Sequence, residues 1–218
     1  MSKRSYKQHC GLAVALDLLG ERWTLLIMRD LLPGPRRFTD LFAGFSGIST
    51  DLLADRLRKL EDSGVVRKRK LRHPVPANVY ELTELGEQLR PALAALASWG
   101  SSLLPDPDSS RLRLEPRWAL ISMTASYVGG LPSGRYEFDI DNEVLTVVVG
   151  ADEARVEYGP AGTQARLRVR CTVDTFFRMA SSDGDHNGEA HVDGDTSLLR
   201  KLFRSLELPR ANPAAPTS

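Results

Sequence analysis

Cysteine is scarce in this chain: Cys10 and Cys171 are far apart among 218 residues. A disulfide framework is thereby excluded, and a metal site built on paired thiolates has no raw material. Both thiols are expected to be reduced at rest. Histidine is equally thin. His9, His73, His186 and His191 make no HxxxH spacing with an acidic helper, and neither a GxSxG elbow nor a phosphate-loop glycine pattern is present. The expectation is a protein that is not an enzyme and needs no metal or cofactor. The turn Asp183-Gly184-Asp185-His186-Asn187-Gly188 lacks the length and distal glutamate of a calcium loop, and reads as a polar surface turn. Asp193 and Asp195 read as turn and helix-cap residues. No apolar run approaches the roughly 18 residues that a membrane span needs. The start from Met1 to Cys10 is polar and basic, with no secretory apolar core behind it. The expected location is cytoplasmic, with no membrane partner.

What is present is ordinary in amount and uneven in placement. With 42% hydrophobic and 26% charged residues, the chain suits folded protein and is long enough for two modest domains. Residues 1–104 carry 16 Lys+Arg against 11 Asp+Glu, while residues 105–218 carry 13 against 17. A basic half suits a polyanion; an acidic half is repelled by one. Between them, Leu104-Pro105-Asp106-Pro107-Asp108-Ser109-Ser110 is rich in proline, aspartate and serine. We place a first domain at 1–104, a linker at 105–113, a second domain at 114–208 and a disordered tail at 209–218.

The basic half is organised around Gly47 to Leu82. Leu53, Leu57 and Leu60 recur at i, i+4 and i+7, which gives one apolar face, while Thr50, Asp51, Ala54, Asp55 and Arg58 look elsewhere. Ser49 is placed to cap the helix and Gly64 to end it in a left-handed conformation. Val65-Val66 and Val79-Tyr80-Glu81-Leu82 read as strands around a turn, so that Arg67, Lys68, Arg69, Lys70 and Arg72 project from a hairpin. A displayed helix beside a basic hairpin is a winged helix. Such a helix, about 10 to 12 Å across, fits the major groove of B-DNA, and cations on a hairpin reach phosphates.

Upstream, LAVALDLLGERWTLLIMRDLL is apolar at helical spacing, with Leu12, Leu16 and Leu19 on one face and Gly20 as a dividing point. Trp23 is expected as a core anchor. Pro33-Gly34-Pro35 stops this segment. A short helix follows in which Phe38, Leu41 and Phe42 turn inward, with Arg36 and Arg37 at its start as a phosphate clamp. Downstream, Thr83 caps a helix whose Leu85, Leu89, Leu93, Leu96, Gly100 and Leu103 recur at three- and four-residue intervals, kinked at Pro91, with Trp99 as an anchor beside the stripe. Leu89, Leu93, Leu96, Trp99 and Leu103 are the expected twofold interface of a homodimer.

The strings ALDLLGERWTLLIMRDLLPGPRRFTDL, GISTDLLADRLRKLEDSGVV and VYELTELGEQLRPALAALASWG closely resemble the HxlR family of winged-helix transcriptional regulators, over about Cys10 to Gly100. The resemblance rests on ordered elements: Gly20-x-x-Trp23, Arg37-Phe38, Ile48-Ser49, Arg56-Leu57-x-x-Leu60 and Leu82-Thr83-x-x-Gly86. It implies a homodimer on a near-palindromic double-stranded DNA operator. It also implies a redox or electrophile sensor at Cys10; the family's Cys-Pro is Cys-Gly here, and its proline-rich wing tip is altered.

The second half has another texture. Pro116 to Val128 suits a helix, and alternating runs at Arg135–Ile140, Val144–Val149, Ala154–Tyr158 and Arg166–Cys171 suit strands. Thr172 to Ala180 reads as helix, Glu189 to Val192 as strand, and Ser197 to Leu206 as helix with Leu198, Leu202 and Leu206 aligned. The whole chain is thus α+β: a winged helix-turn-helix domain, then an α+β domain with a largely antiparallel sheet. Its ending, Gly188 to Asp195 running into LLRKLF, resembles the sterol-carrier-protein-like (SCP2-like) fold, which implies an apolar tunnel. The lining expected from inward positions is Met123, Tyr127, Phe138, Leu145, Val147, Val156, Phe176, Phe177, Leu202 and Phe203, with Arg168 or Tyr127 orienting a hydrophobic small-molecule effector. The same elements also suit a plain packed core.

Two function classes follow. One is a one-component regulator whose second domain, or Cys10, biases the spacing of two recognition helices. The other is a lipid or small-molecule carrier whose helical half mainly dimerises.

Overall fold

The computed structural model describes residues 5–71, 76–101, 103, 115–125, 127 and 129–205. Arg72 of the expected wing, the linker and the expected tail lie outside these residues. The chain divides into two compact units, Met1–Arg90 and Pro91–Ser218. Among the described residues, no helix is long and apolar enough to cross a membrane.

In the first unit the expected break at Gly20 is real: α1 (Gly11–Leu19) and α2 (Thr24–Leu31) are separate helices. The turn between them ends at Trp23, which sits in the left-handed region at φ 80°. Its ring is half-buried and tilted against Phe45, with centroids 5.8 Å apart. Then come β1 (Arg36–Arg37), α3 (Phe38–Gly44), α4 (Thr50–Asp62), β2 (Val66–Leu71), β3 (Ala77–Leu82) and α5 (Glu84–Glu87). Asp40 Oδ2 accepts from the Arg37 amide at 3.3 Å and so closes the start of α3. Of the three side chains expected inside from α3, Leu41 is fully buried, Phe38 is half-buried and Phe42 is exposed. Phe42 instead stacks on Phe38 along the outside of the helix, with ring centroids 6.5 Å apart. The sheet order is β1-β3-β2, all antiparallel.

α4 follows its sequence pattern closely. Leu53, Leu57 and Leu60 are buried, Ser49 Oγ accepts from the Leu52 amide at 3.2 Å, and Gly64 leaves the helix at φ 73°. The Thr83 hydroxyl donates to the Gly64 carbonyl at 2.6 Å and accepts from the Gly86 amide at 3.2 Å, joining the α4 exit to the start of α5. Gly86 has no alternative residue: a Cβ there would lie 2.3 Å from the Val65 carbonyl oxygen. The long capped helix expected from Thr83 is not continuous. It stops at Glu87 and resumes as α6 (Arg90–Ser101), because Pro91 has no amide to give the Glu87 carbonyl and the break is complete rather than a kink.

The second unit begins within α6 and goes on through α7 (Pro116–Ala125), β4 (Gly134–Ile140), β5 (Glu143–Val149), β6 (Ala154–Tyr158), β7 (Ala165–Cys171), α8 (Val173–Ser181), β8 (His191–Gly194) and α9 (Thr196–Ser205). The sheet order is β6-β5-β4-β7-β8, with β4 and β7 parallel and the other pairs antiparallel. Strand alternation puts Tyr136, Phe138, Ile140, Leu145, Val147, Val156, Leu167 and Val169 on one buried face, against which α7 and α9 pack. The α9 face that turns inward is Leu199, Leu202 and Phe203 rather than a line starting at Leu198, which is half-buried. Leu206 lies outside the described residues.

Candidate nucleic-acid interface

The outward side of α4 carries Ser49, Thr50, Asp51, Ala54 and Arg58, all exposed. Their exposure follows from the burial of the leucines on the other side of the same helix. Asp55 is different. Its carboxylate is 2.7 Å from Arg56 Nη1, 2.7 Å from Arg58 Nη2 and 3.1 Å from Lys59 Nζ. Lys59 first, then the neighbouring arginines, hold the Asp55 carboxyl below the usual carboxylate range, and Asp55 in turn raises the Lys59 ammonium. Asp55 therefore braces the helix surface with its charge already matched, whereas Thr50, Asp51 and Ala54 present unobstructed edges.

The helix is also fastened from behind. Arg56 Nη1 lies 2.5 Å from Glu21 Oε2, Arg56 Nε donates to the Arg22 carbonyl at 3.3 Å, and Lys59 Nζ lies 3.2 Å from Glu21 Oε1. Glu21 thus ties the turn after α1 to the middle of α4. Its role was not visible from the sequence, because a separation of 38 residues carries no local signal.

The hairpin is more ordered than a charged turn. Arg67, Lys68, Arg69 and Lys70 lie within β2 itself, in register with Glu81, Tyr80, Val79 and Asn78 of β3. They alternate in direction. Arg67 Nε and Arg69 Nε donate to the two oxygens of Glu81 at 2.7 and 2.9 Å. Burial alone would push the Glu81 carboxyl up; the two guanidiniums outweigh that and leave it lowered. Lys68 Nζ sits 5.8 Å from the centroid of the Tyr80 ring. Arg36 and Arg37 pair with Tyr80 and Val79 on the other edge of β3, where Arg37 is exposed and Arg36 half-buried. Glu81 stood in the sequence inside a recognised strand, but its two partners required the register of the hairpin.

The other expected sites are distributed as follows. Leu96, Trp99 and Leu103 are exposed, at 51, 67 and 47%; Leu93 is buried and Leu89 is half-buried in the turn before α6. α1 adds an apolar exposure: Leu12, Val14 and Leu16 face outward, while Ala13 and Leu19 are buried, so the expected shared face of Leu12, Leu16 and Leu19 is divided between solvent and interior. Cys10 is exposed at the start of α1, where the backbone amides of Ala13 and then Leu12 lower its pKa. In the second unit Met123, Tyr127, Phe138, Leu145, Val147, Val156, Phe176, Leu202 and Phe203 are buried and Phe177 is half-buried. The rings of Phe138, Phe176 and Phe203 touch one another, at centroid distances of 5.9 to 6.4 Å. The Tyr127 hydroxyl accepts from the Leu131 amide at 3.2 Å. Arg168 does not join them. Strand alternation turns it to the opposite sheet face, where it donates to the Gly162 carbonyl at 2.6 Å and lies 3.5 Å from Asp193 and 3.6 Å from Glu137.

A capped helix with one buried and one displayed side, followed by a β-hairpin, defines a winged helix-turn-helix protein. Residues 18–108 match the model of the HxlR-like helix-turn-helix family. An uncharacterized HTH-type transcriptional regulator of Bacillus subtilis, YkvN, is 40% identical over 95 residues, which cover 43% of this chain and 80% of that protein. Another of Mycobacterium tuberculosis is 39% identical over 100 residues, 46% of this chain; the chain spans 63% of the length of that relative. A solved structure, the reduced form of the transcriptional regulator YodB from B. subtilis, is 32% identical, over 44% of this chain and 94% of that one, with a TM-score of 0.39. The chain belongs to the HxlR-like helix-turn-helix family.

Proposed function

We propose that this protein is a one-component transcriptional regulator of the HxlR type that binds a near-palindromic double-stranded DNA operator as a homodimer. The observation that carries the reading is the displayed side of α4, Thr50, Asp51, Ala54 and Arg58, held beside a cationic hairpin while Leu53, Leu57 and Leu60 anchor the helix. α4 enters the major groove and reads base edges; the hairpin, with Arg36 and Arg37, meets phosphates. The exposed Leu96, Trp99 and Leu103 support the homodimer. A dimer sets two recognition helices about one helical turn of DNA apart.

The second unit, in this proposal, is an SCP2-like effector domain that takes a hydrophobic small molecule. The apolar character of the side chains under α7, α8 and α9 supports it. An effector acts only through unequal affinity for the DNA-bound and free states, and a typical coupling of about 1 to 3 kcal/mol appears reciprocally in both affinities. The exposed Cys10 thiol, with its lowered pKa, is a second place for a signal to act.

The test is selection of bound sequences from random duplexes with the full chain. A recurrent inverted repeat is the expected result; recovery of unrelated sequences at equal affinity would sink the reading. Replacing Leu96 and Trp99 together by Glu is expected to yield a monomer in sedimentation and to forfeit the roughly 10²- to 10⁴-fold gain that two linked half-site contacts supply.

A further inference from the structure

Glu81 lies directly across the hairpin from Arg67 and one step along from Arg69, and its single carboxylate receives both guanidiniums. The Glu81 side chain is only 10% exposed, whereas Arg67 and Arg69 are 64 and 48% exposed. Lys68 and Lys70 leave the strand on the other side, and among the described residues no ion pair involves either of them. So four adjacent cations, alike in the sequence, are in two different situations.

An arginine that swings out to a phosphate leaves behind a largely buried carboxylate whose charge burial disfavours. It also brings the phosphate towards that carboxylate. Both effects hold the guanidiniums where they are. We propose that Glu81 is a positioning residue that withholds Arg67 and Arg69 from the DNA backbone, so that Lys68 and Lys70 make the phosphate contacts of the wing. The proposal rests on the DNA-binding reading given above. Its consequence is specificity: with fewer sequence-blind contacts from the wing, a larger share of the binding free energy remains with the base-reading side of α4.

The experiment is a salt titration of binding to a random-sequence duplex, followed by fluorescence anisotropy, for the full chain and three single variants. Lys68→Gln is expected to make the logarithmic salt slope shallower by about 0.9, the value for one phosphate contact. Arg67→Gln is expected to change it by less than half as much. Glu81→Gln is expected to steepen it by about 0.9 to 1.8, as one or both freed arginines reach phosphates, and to tighten binding several-fold at about 0.1 M salt. A merely structural role for Glu81 would not steepen the slope. An unchanged or shallower slope for Glu81→Gln at a wild-type melting temperature overturns the proposal, as does Arg67→Gln costing as much slope as Lys68→Gln. Should Glu81→Gln fail to fold, that last comparison between two exposed positions decides alone. A wild-type chain with no salt-dependent duplex binding removes the DNA-binding reading itself, and the inference with it; wild-type binding with equal arginine and lysine slopes removes the inference only.

Discussion

The two sheets of this molecule carry similar side chains and use them differently. In the five-stranded sheet, the face opposite the buried one is a ladder of matched charges: Arg135 with Glu157 at 2.8 Å, Arg170 with Asp139 at 2.8 Å, and Arg155 with Glu157 at 3.1 Å. Burial would raise Glu157, but its arginines lower it instead. In the three-stranded sheet one carboxylate serves two arginines and leaves the lysines between and beside them without an ion pair among the described residues. Similar numbers of cations therefore leave different amounts of unmatched charge on the two sheets. What matters is whether each cation already has an anion across the strand.

The sharpest contrast between the units is expected in their thiols. Cys10 is exposed with a pKa below the ordinary 9.0, while burial, then the nearby Asp141 and Asp139, push Cys171 up to about 12. At any pH below both values, the Cys10 thiolate fraction should exceed that of Cys171 by more than about a thousandfold, since each unit of pKa is tenfold. Alkylation followed by mass spectrometry should label Cys10 alone near pH 8. Equal labelling of the two would mean that the end of β7 opens freely.

Next in size is the difference between the two faces of the second sheet. Phe138→Ala removes a fully buried ring that touches Phe176 and Phe203, and is expected to cost about 3 to 5 kcal/mol in a denaturant titration. A loss under about 1 kcal/mol would point to an interior with room to collapse. The comparison of the two sheets is then tested on DNA. Lys68→Gln with Lys70→Gln should flatten the salt slope by about 1.8, whereas Arg168→Gln with Arg170→Gln should leave it where it was. If both pairs flatten it alike, the contrast between the sheets is broken. The smallest effect belongs to Arg170→Ala, whose partner Asp139 is on the solvated face; a stability change within about 1 kcal/mol is expected, read by thermal melting.

Much of the fold could be read from the residues because local signals and tertiary packing agree. The leucine spacing of α4, its serine cap, its glycine exit and the helix division at Gly20 are all local rules, and each appears where the spacing predicts it. The alternating runs of the second half likewise became β4 to β7 within a residue of their expected ends. The misreadings share one cause. Phe42 stacks outside its helix where an inward side chain is expected, and Leu93 is buried where an interface residue is expected. Spacing says which residues share a face, not what that face meets. Arg168 is a different case: the alternation of β7 sends it away from Leu167 and Val169, and the run Arg166–Cys171 already carries that parity. At the interface, Glu21 and Glu81 were invisible as partners because the chain brings them to their cations from 38 and 14 residues away.

The position of β2 has a bearing on solubility. It is an edge strand, since the sheet order places β3 between it and β1, and an edge offers unpaired amides and carbonyls to any other extended chain. Lys68 and Lys70, which make no ion pair among the described residues, give a second copy bearing the same charges a repulsive neighbour along that edge. Variants that neutralise Lys68 and Lys70 strip this guard, so strand-to-strand association should rise at high protein concentration.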